Sequence, residues 1–594
     1  LKEKDFYREN AMTEAQKLQP CPGEEDFKSF IENGWYYVDK TPYIMEIFDF
    51  NSRVLIIRPD GFGKTLMMSA LRYFLETDYE HPGDTSKQRE LFKGLKILED
   101  QDFCEKHMGQ HPVVFFAPGH AGEDSFDQAY KGLCEDISSL YGEFSWLLHS
   151  DRLDEDDKRD FRRAADPDYL LSGGALGKEH ACESLHDLCR LLRKHCQKKA
   201  VLIIDGLDDL LQQAAERGYF EEMSEIVSPM LSRSSFYTSD YMCREIISGR
   251  LRPAGGDLFG SVLDHFAPNT TLCSDDGLSE AFGFTYGEVS DLLACFGLDE
   301  FSGKVLEFCG GYLVGSKRIC RPKDVICCVR GLLKSREPGA AAFDPSSCLE
   351  ERDCTVIARF LPEMWCDDAK HLQELLDGGT AKLRVAEYLS HGVFDPSKFW
   401  GLLFYRGFLT VAKRCPNYEY EFRIPNAGVR RCFAEKLNAY YSSVTGPFAN
   451  LARECIAGLV SGAPDKAVVA LRRMFWNFVR VNESGVKTAY ENFCLGFLTR
   501  LFDAAGQEIC EYRYDSDSNV ISFKSADGAA RVALVIKYAN PDENRGKIAD
   551  EAAEQFESRH DAAALQANPA GKCFVCAIVF CGRGCAFSLK EINP

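Results

Sequence analysis

The chain has 594 residues, 45% hydrophobic and 27% charged, with a net charge of −21. That length predicts roughly three or four domains of about 150 residues with ordinary globular composition. The acidic balance argues against a surface that coats nucleic acid or anionic membrane as a whole. The longest apolar runs, such as Val532–Ile536 and Phe574–Phe580, fall far short of the ~20 residues that cross a bilayer. Leu1–Gln16 is charged and lacks an apolar stretch ahead of a small-residue cleavage site. With 25 scattered cysteines, an odd number, the reading is an intracellular protein, cytoplasmic or nuclear, with reduced thiols and no membrane contact.

In chain order, Val54–Ile57 is a short apolar strand that leads into Arg58-Pro-Asp-Gly-Phe-Gly-Lys-Thr65 and an amphipathic helix over Leu66–Leu75. Val113–Ala117 is a second strand, followed by a helix around Gln128–Leu140. The acidic stretch Asp151–Asp157 reads as a solvated loop or helix face. A Leu- and Arg-rich helix, Ser184–Lys194, precedes a third strand, Ala200–Asp205, and Glu245–Ser248 is a fourth. Apolar strands alternating with helices predict an α/β domain over 1–278, a parallel sheet with helices on both faces.

Residues 279–441 read as a mainly helical, winged-helix-like middle region with one hairpin, Phe408–Ala412 and Tyr418–Phe422. Residues 442–594 begin with a long helical stretch. A β-hairpin follows, with Asn519–Phe523 and Arg531–Lys537 flanking the polar turn Lys524–Ala530. A helix over Asp550–Leu565 and a strand Phe574–Phe580 complete this region. Cys573, Cys576, Cys581 and Cys585 have the spacing of half a zinc site. On a strand, however, Cys573 and Cys576 point to opposite faces, which favours core thiols.

Gly61-Phe-Gly-Lys-Thr65 sits where a phosphate-binding loop belongs, between a buried strand and a helix. Backbone amides of Gly61, Phe62, Gly63 and Leu66 are placed to wrap phosphates, Lys64 to reach the β/γ oxygens, and the Thr65 hydroxyl to ligate Mg²⁺. The first Gly of the full pattern is replaced by Arg58. About 140 residues on, Ile203-Ile-Asp205 ends an apolar strand, as a strand must to bring a carboxylate beside Mg²⁺. Thr65 and Asp205 are the predicted metal ligands, and ATP with Mg²⁺ the predicted cofactors. The residue after Asp205, often a water-polarising Glu, is Gly206, which leaves Asp208 as the candidate base. Arg250 and Arg252 are sensor or finger candidates, with surface salt bridges as the alternative.

The segments Phe30-Ile-Glu-Asn-Gly-Trp-Tyr-Tyr-Val-Asp-Lys-Thr41 and Arg58–Leu66 resemble the AAA-ATPase-like family, with its "YVDKT" opening and its variant loop "RPRRFGKS". In that family an Arg is normal at position 58, so the resemblance adds Arg58 to the nucleotide-binding set. Asp205 and Asp208 match the acids of its "LIDEYD". Ile247–Arg250 resembles the polar strand end before its sensor region, and Phe282–Val289 its "GFT-x-x-EV" helix start. Gly310-Gly-Tyr312, Phe399–Thr410 and Ile424-Pro-Asn426 match further landmarks, although Gly428 stands where a Glu is usual. The likeness runs from about Phe27 to Tyr441.

Such proteins often carry a C-terminal PD-(D/E)XK nuclease-like domain, and Tyr490–Leu501 resembles the helix that opens it. Fitting the hairpin to that template puts Asn519 at the first acid and Val535-Ile-Lys537 at the metal-binding triplet. Valine cannot ligate Mg²⁺ and Asn519 carries no charge; Asp515 and Asp517 are the alternative acids nearby. The resemblance thus implies an inactive nuclease fold. The expected function is ATP binding with weak or absent hydrolysis, coupled to an interaction module for a protein partner or large assembly. A non-catalytic scaffold is the alternative, an active ATP-dependent nuclease the third reading, and nucleic acid is not favoured as a partner.

Overall fold

The computed structural model describes residues 19–21, 23–119, 124–250, 252–253, 266–270, 277–336, 343, 371–372, 374–385, 388–389, 396–415, 420–435, 449–478, 498, 502, 505, 507, 509–514, 519–525, 530–539, 543–558, 572–581 and 584–592. The chain divides into two compact units, Leu1–Arg352 with Lys382–Cys432, and Asp353–Ala381 with Phe433–Pro594.

The first unit is built on α1 (Phe27–Glu32), α2 (Tyr43–Phe50), β1 (Arg53–Ile57), α3 (Lys64–Leu75), β2 (Val113–Phe116), α4 (Phe126–Glu143), α5 (Gly174–Cys196), β3 (Ala200–Asp205), α6 (Leu207–Arg217), α7 (Phe220–Tyr241), β4 (Met242–Gly249), β5 (Arg252–Pro253) and β6 (Ala267–Thr270). Its five-stranded sheet has the order β2-β3-β4-β1-β6, and every pairing is parallel. Each residue of β3 is buried, as a central strand covered by helices requires. α3 and α5 both pack on β3, while α7 packs on β4.

β6 was not apparent in the sequence. It is the short edge strand Ala267-Pro-Asn-Thr270, where Pro268 is tolerated because a ladder position on an edge needs no donor. The acidic stretch is exposed as expected at Asp151, Asp154, Glu155 and Asp156 and departs from expectation only at Asp157. Asp154 caps the helix Glu155–Ala164 in a capping box with Asp157. Asp157 is buried, accepting from Arg190 at 2.7 Å and from Lys194 at 2.6 Å, so it ties this helix to α5 instead of facing solvent.

Downstream in the same unit lie β7 (Phe284–Thr285), α8 (Tyr286–Cys295), α9 (Ser302–Cys309), β8 (Tyr312–Val314), β9 (Lys317–Cys320), α10 (Pro322–Ser335), α11 (Pro396–Tyr405), β10 (Thr410–Arg414) and β11 (Tyr420–Arg423). β7, β9 and β8 form a small antiparallel sheet among the helices. β10 and β11 form the expected hairpin, about two residues later in the chain.

The second unit contains α12 (Ala449–Val460), α13 (Pro464–Phe478), β12 (Ile509–Tyr514), β13 (Asn519–Lys524), β14 (Ala530–Tyr538), α14 (Arg545–Ser558), β15 (Lys572–Cys581) and β16 (Gly584–Ile592). The strands form a mixed sheet in chain order, with β14 and β15 parallel and the other neighbours antiparallel. One face packs Ile521, Val532, Leu534, Ile536 and Cys576 against α12 and α13. The other packs Ala533, Val535, Cys573 and Val575 against α14. Cys573 and Cys576 are therefore free thiols on opposite faces of β15, and burial pushes the Cys576 thiol up to about 12.

Candidate nucleotide site

β1 and β3 run in the same direction with β4 between them. Their C-terminal ends therefore open on one edge, about 10 Å apart at two strand spacings. That edge is where open α/β sheets hold their ligands. The loop Arg58–Thr65 turns over it and enters α3 through Gly63, whose φ is +83°. No heavy atom lies within 4 Å of where a Cβ on Gly63 would stand.

The loop is held by chain far away in sequence. Arg321 Nε donates to the Asp60 carbonyl at 2.6 Å, Lys323 N to the Gly61 carbonyl at 3.2 Å, and Gly283 N to the Phe62 carbonyl at 3.1 Å. Phe62 is buried with its ring edge-on to Tyr312, centroids 5.1 Å apart. At Gly61 a Cβ would come within 2.8 Å of Arg321 and Lys323, so only glycine lets α10 approach this closely.

Arg58 requires a correction. Its side chain is 1% exposed and turns into the protein. It donates to the Asn269 carbonyl at 2.9 Å, to Asn269 Oδ1 at 2.6 Å and to the Ile57 carbonyl at 2.9 Å. It also lies 5.4 Å from the centre of the Phe282 ring. The guanidinium clamps β1 to β6 and is not directed at phosphate; what Arg58 offers the loop is its carbonyl, 3.0 Å from Lys64 Nζ.

Lys64 also donates to the Pro59 carbonyl at 3.2 Å and lies 3.7 Å from Asp60. Crowding around the Asp60 carboxyl would raise it, but Lys64 and Arg250 outweigh that and hold it below the usual carboxylate range. Thr65 is half-buried at the second position of α3, with Leu66 beside it. Asp205 is buried at the end of β3 and accepts a short bond from Ser248 Oγ on β4. A hydroxyl, a carboxylate, the backbone amides of a helix start and a lysine are the groups a magnesium-bound triphosphate takes, so this set fits one.

One acid differs from expectation. Asp208 is 3% exposed, its Oδ2 accepts the Arg250 amide at 2.8 Å, and its carboxylate packs where a side chain on Gly249 would lie. It latches α6 to the end of β4, a poor position from which to reach a water on phosphate. Gly206 has φ +77°, so a Glu at the usual base position would carry a left-handed backbone costing about 1–2 kcal/mol. Arg250, the sensor candidate, bridges the loop and α6: it donates to Asp60 Oδ2 at 2.8 Å and forms a close ion pair with Asp209. Arg252 begins β5, and its side chain lies outside the described residues.

Sequence reasoning missed Glu25. Its carboxyl lies in the electrostatic reach of Asp205, Lys64, Lys323 and Asp60, and it precedes Asp26, which is fastened to α3.

On the second unit, Val535 pairs with Val520, and Asn519 pairs with Ile536. Paired residues share a face and neighbours alternate. Asn519 thus falls on the α12–α13 face, while Val535 and Lys537 belong to the α14 face. The three template positions do not converge. Asp515 and Asp517 lie outside the described residues.

Several of the motif residues named above act as braces. Lys40 is buried and donates to the Glu280 carbonyl and to Glu288, both at 2.7 Å, while Glu288 closes a capping box with Thr285. Asn426 Nδ2 donates to the Gly310 carbonyl at 2.7 Å. A side chain at Gly428 would collide with Phe308. No helix among the described residues is long and apolar enough to cross a membrane. No curated protein matches the chain. Residues 22–252, the stretch that holds the loop, Asp205 and all of β4, match the model of the AAA-ATPase-like family, described as a predicted AAA-ATPase.

Proposed function

We propose that the first unit binds ATP with Mg²⁺ and turns it over slowly. The observation that carries this reading is Lys64-Thr65 at the start of α3, on the same sheet edge as Asp205 with its Ser248 partner. Thr65 and Asp205 would hold Mg²⁺, the amides of Gly61–Leu66 the phosphates, and Lys64 the β/γ oxygens. The ion supplies charge neutralisation on those oxygens when bound. Lys64 and the helix start orient the triphosphate, and Arg250 and Asp60 couple the loop to α6.

The second unit serves in this reading as an inactive nuclease-like interaction module for a protein partner. A purely structural scaffold is the second reading, favoured by the left-handed Gly206 where a base is usual. Calorimetry of the full chain with ATP and Mg²⁺ tests the proposal. Lys64→Ala is expected to lower ATP affinity at least about tenfold, which corresponds to about 1.4 kcal/mol. Equal affinity in both proteins refutes it.

A further inference from the structure

We propose that Asp60 competes with phosphate for Lys64 and Arg250 and so sets the affinity of the nucleotide site. This deepens the ATP reading given above and rests on it. Asp60 lies inside the phosphate loop, one helical turn before Lys64, and its two oxygens face two different cations. Oδ1 lies 3.7 Å from Lys64 Nζ, and Oδ2 accepts from Arg250 Nη1 at 2.8 Å. A phosphate group presents several anionic oxygens and takes ammonium and guanidinium partners in the same way. The carboxylate therefore engages the cations that an incoming phosphate needs.

The contact is fixed from both sides. On one, the Asp60 carbonyl accepts Arg321 Nε at 2.6 Å and the Gly61 carbonyl accepts Lys323 N at 3.2 Å, which fastens the backbone of the loop to the start of α10. On the other, the Arg250 amide donates to Asp208 Oδ2 at 2.8 Å and its guanidinium pairs with Asp209 on α6. The Asp60 side chain is 48% exposed, against 15% for Arg250 and 10% for Lys64. An anion that arrives from solvent thus meets the acid ahead of these cations.

The charges set the direction of the effect. Asp60 and Asp209 balance Lys64 and Arg250, so these four groups together carry no net charge to draw in a polyanion. Lys64 also donates to the Arg58 and Pro59 carbonyls, at 3.0 and 3.2 Å. Those neutral acceptors yield to an anion more readily than a carboxylate does, because a bond between charged partners is about twice as strong. The Asp60 charge, in addition, repels any phosphate that approaches Lys64. A half-exposed ion pair changes an equilibrium constant only a few-fold, so neutralising Asp60 should tighten triphosphate binding by roughly three- to tenfold. Salt screens the competition and should shrink this gain.

The test uses the full chain with Mg²⁺ and calorimetric titration of ATP and, separately, of inorganic tripolyphosphate. Asp60→Asn keeps the shape of the side chain and removes its charge. It is expected to bind both probes roughly three- to tenfold more tightly than wild type, with a smaller gain at high salt. Asp60→Glu keeps the charge and is expected to show no such gain; thermal unfolding of each variant confirms that it is folded. Equal or weaker binding by Asp60→Asn overturns the inference, because the carboxylate would then be neutral to phosphate or would position the cations for it. A gain indifferent to salt, or one shared by Asp60→Glu, overturns it as well. ATP binding by wild type without a gain in Asp60→Asn removes this inference alone, whereas no binding by either protein removes the ATP site and the inference with it.

Discussion

Replacing Arg58 with Met separates an anchor from a phosphate ligand. Met has a similar length and fills the apolar part of the site, but it donates nothing. Asn269 Oδ1 and the Asn269 carbonyl, accepting at 2.6 and 2.9 Å, would lose a charged donor in a buried setting. Bonds to a charged group contribute about 1.5–3 kcal/mol each, so these two together set a loss of roughly 3–6 kcal/mol. Contact of the Met side chain with Phe282 offsets part of this, leaving roughly 3–5 kcal/mol, which is in the range for breaking a buried charged network. At about 1.2 °C per kcal/mol for a unit of roughly 400 residues, thermal unfolding should fall by roughly 4–6 °C. ATP affinity, measured well below that transition, should change by less than about threefold, under 0.7 kcal/mol. The opposite pattern, an unchanged melting temperature with affinity down tenfold or more, would show that the guanidinium serves phosphate and that the clamp reasoning is wrong.

Two further outcomes concern pH and the second unit. His111 is held down to about 4 by burial first, then by His107, Lys198 and Arg244. The unfolded chain takes up this proton below the ordinary 6.5 while the folded chain does not, so stability is full above 6.5 and falls as pH drops toward about 4. The slope is at most about 1.4 kcal/mol per pH unit for one proton, and His111→Gln should flatten it in unfolding titrations; an identical pH profile refutes the assignment. On β14, Val535 is 1% exposed against α14, so Val535→Asp, which restores the template acid, should destabilise the unit by roughly 3–5 kcal/mol. Neither protein should cut DNA or RNA with Mg²⁺ or Mn²⁺, and metal-dependent cleavage lost on Lys537→Ala refutes this placement.

The central strands were legible because a parallel strand buried on both faces must be continuously apolar, as Val54–Ile57 and Ala200–Ile204 are. β14 was legible for the same reason. Its Val532–Ile536 run feeds two cores at once, through Val532, Leu534 and Ile536 on one face and Ala533 and Val535 on the other. β6 was not legible, since Ala267-Pro-Asn-Thr270 has neither the apolar run nor the alternation of a strand. It exists because β1 offers a free edge and Arg58 holds Asn269 to it. The role of Arg58 was hidden likewise: a guanidinium beside a phosphate loop suggests an anion, and only the fold places Asn269 and Phe282 around it. Asp157 was misjudged because local charge density says nothing of Arg190 and Lys194, more than thirty residues away.

The motifs that make the resemblance specific speak mainly to scaffold. Lys40 meets Glu288 and Asn426 meets Gly310. Tyr312 donates to the Gly407 carbonyl at 2.9 Å while its ring backs Phe62. These contacts fix where the phosphate loop sits, and they would do so whether or not a bond is ever cleaved. Turnover depends instead on a single ionised oxygen within reach of the attacking water, and none of these braces supplies one. Asp208, which the motif nominates, has its carboxylate on the Arg250 amide. Loss of the Lys64 amine should therefore lower ATP affinity, at least about tenfold by calorimetry, while leaving these braces and the melting temperature in place.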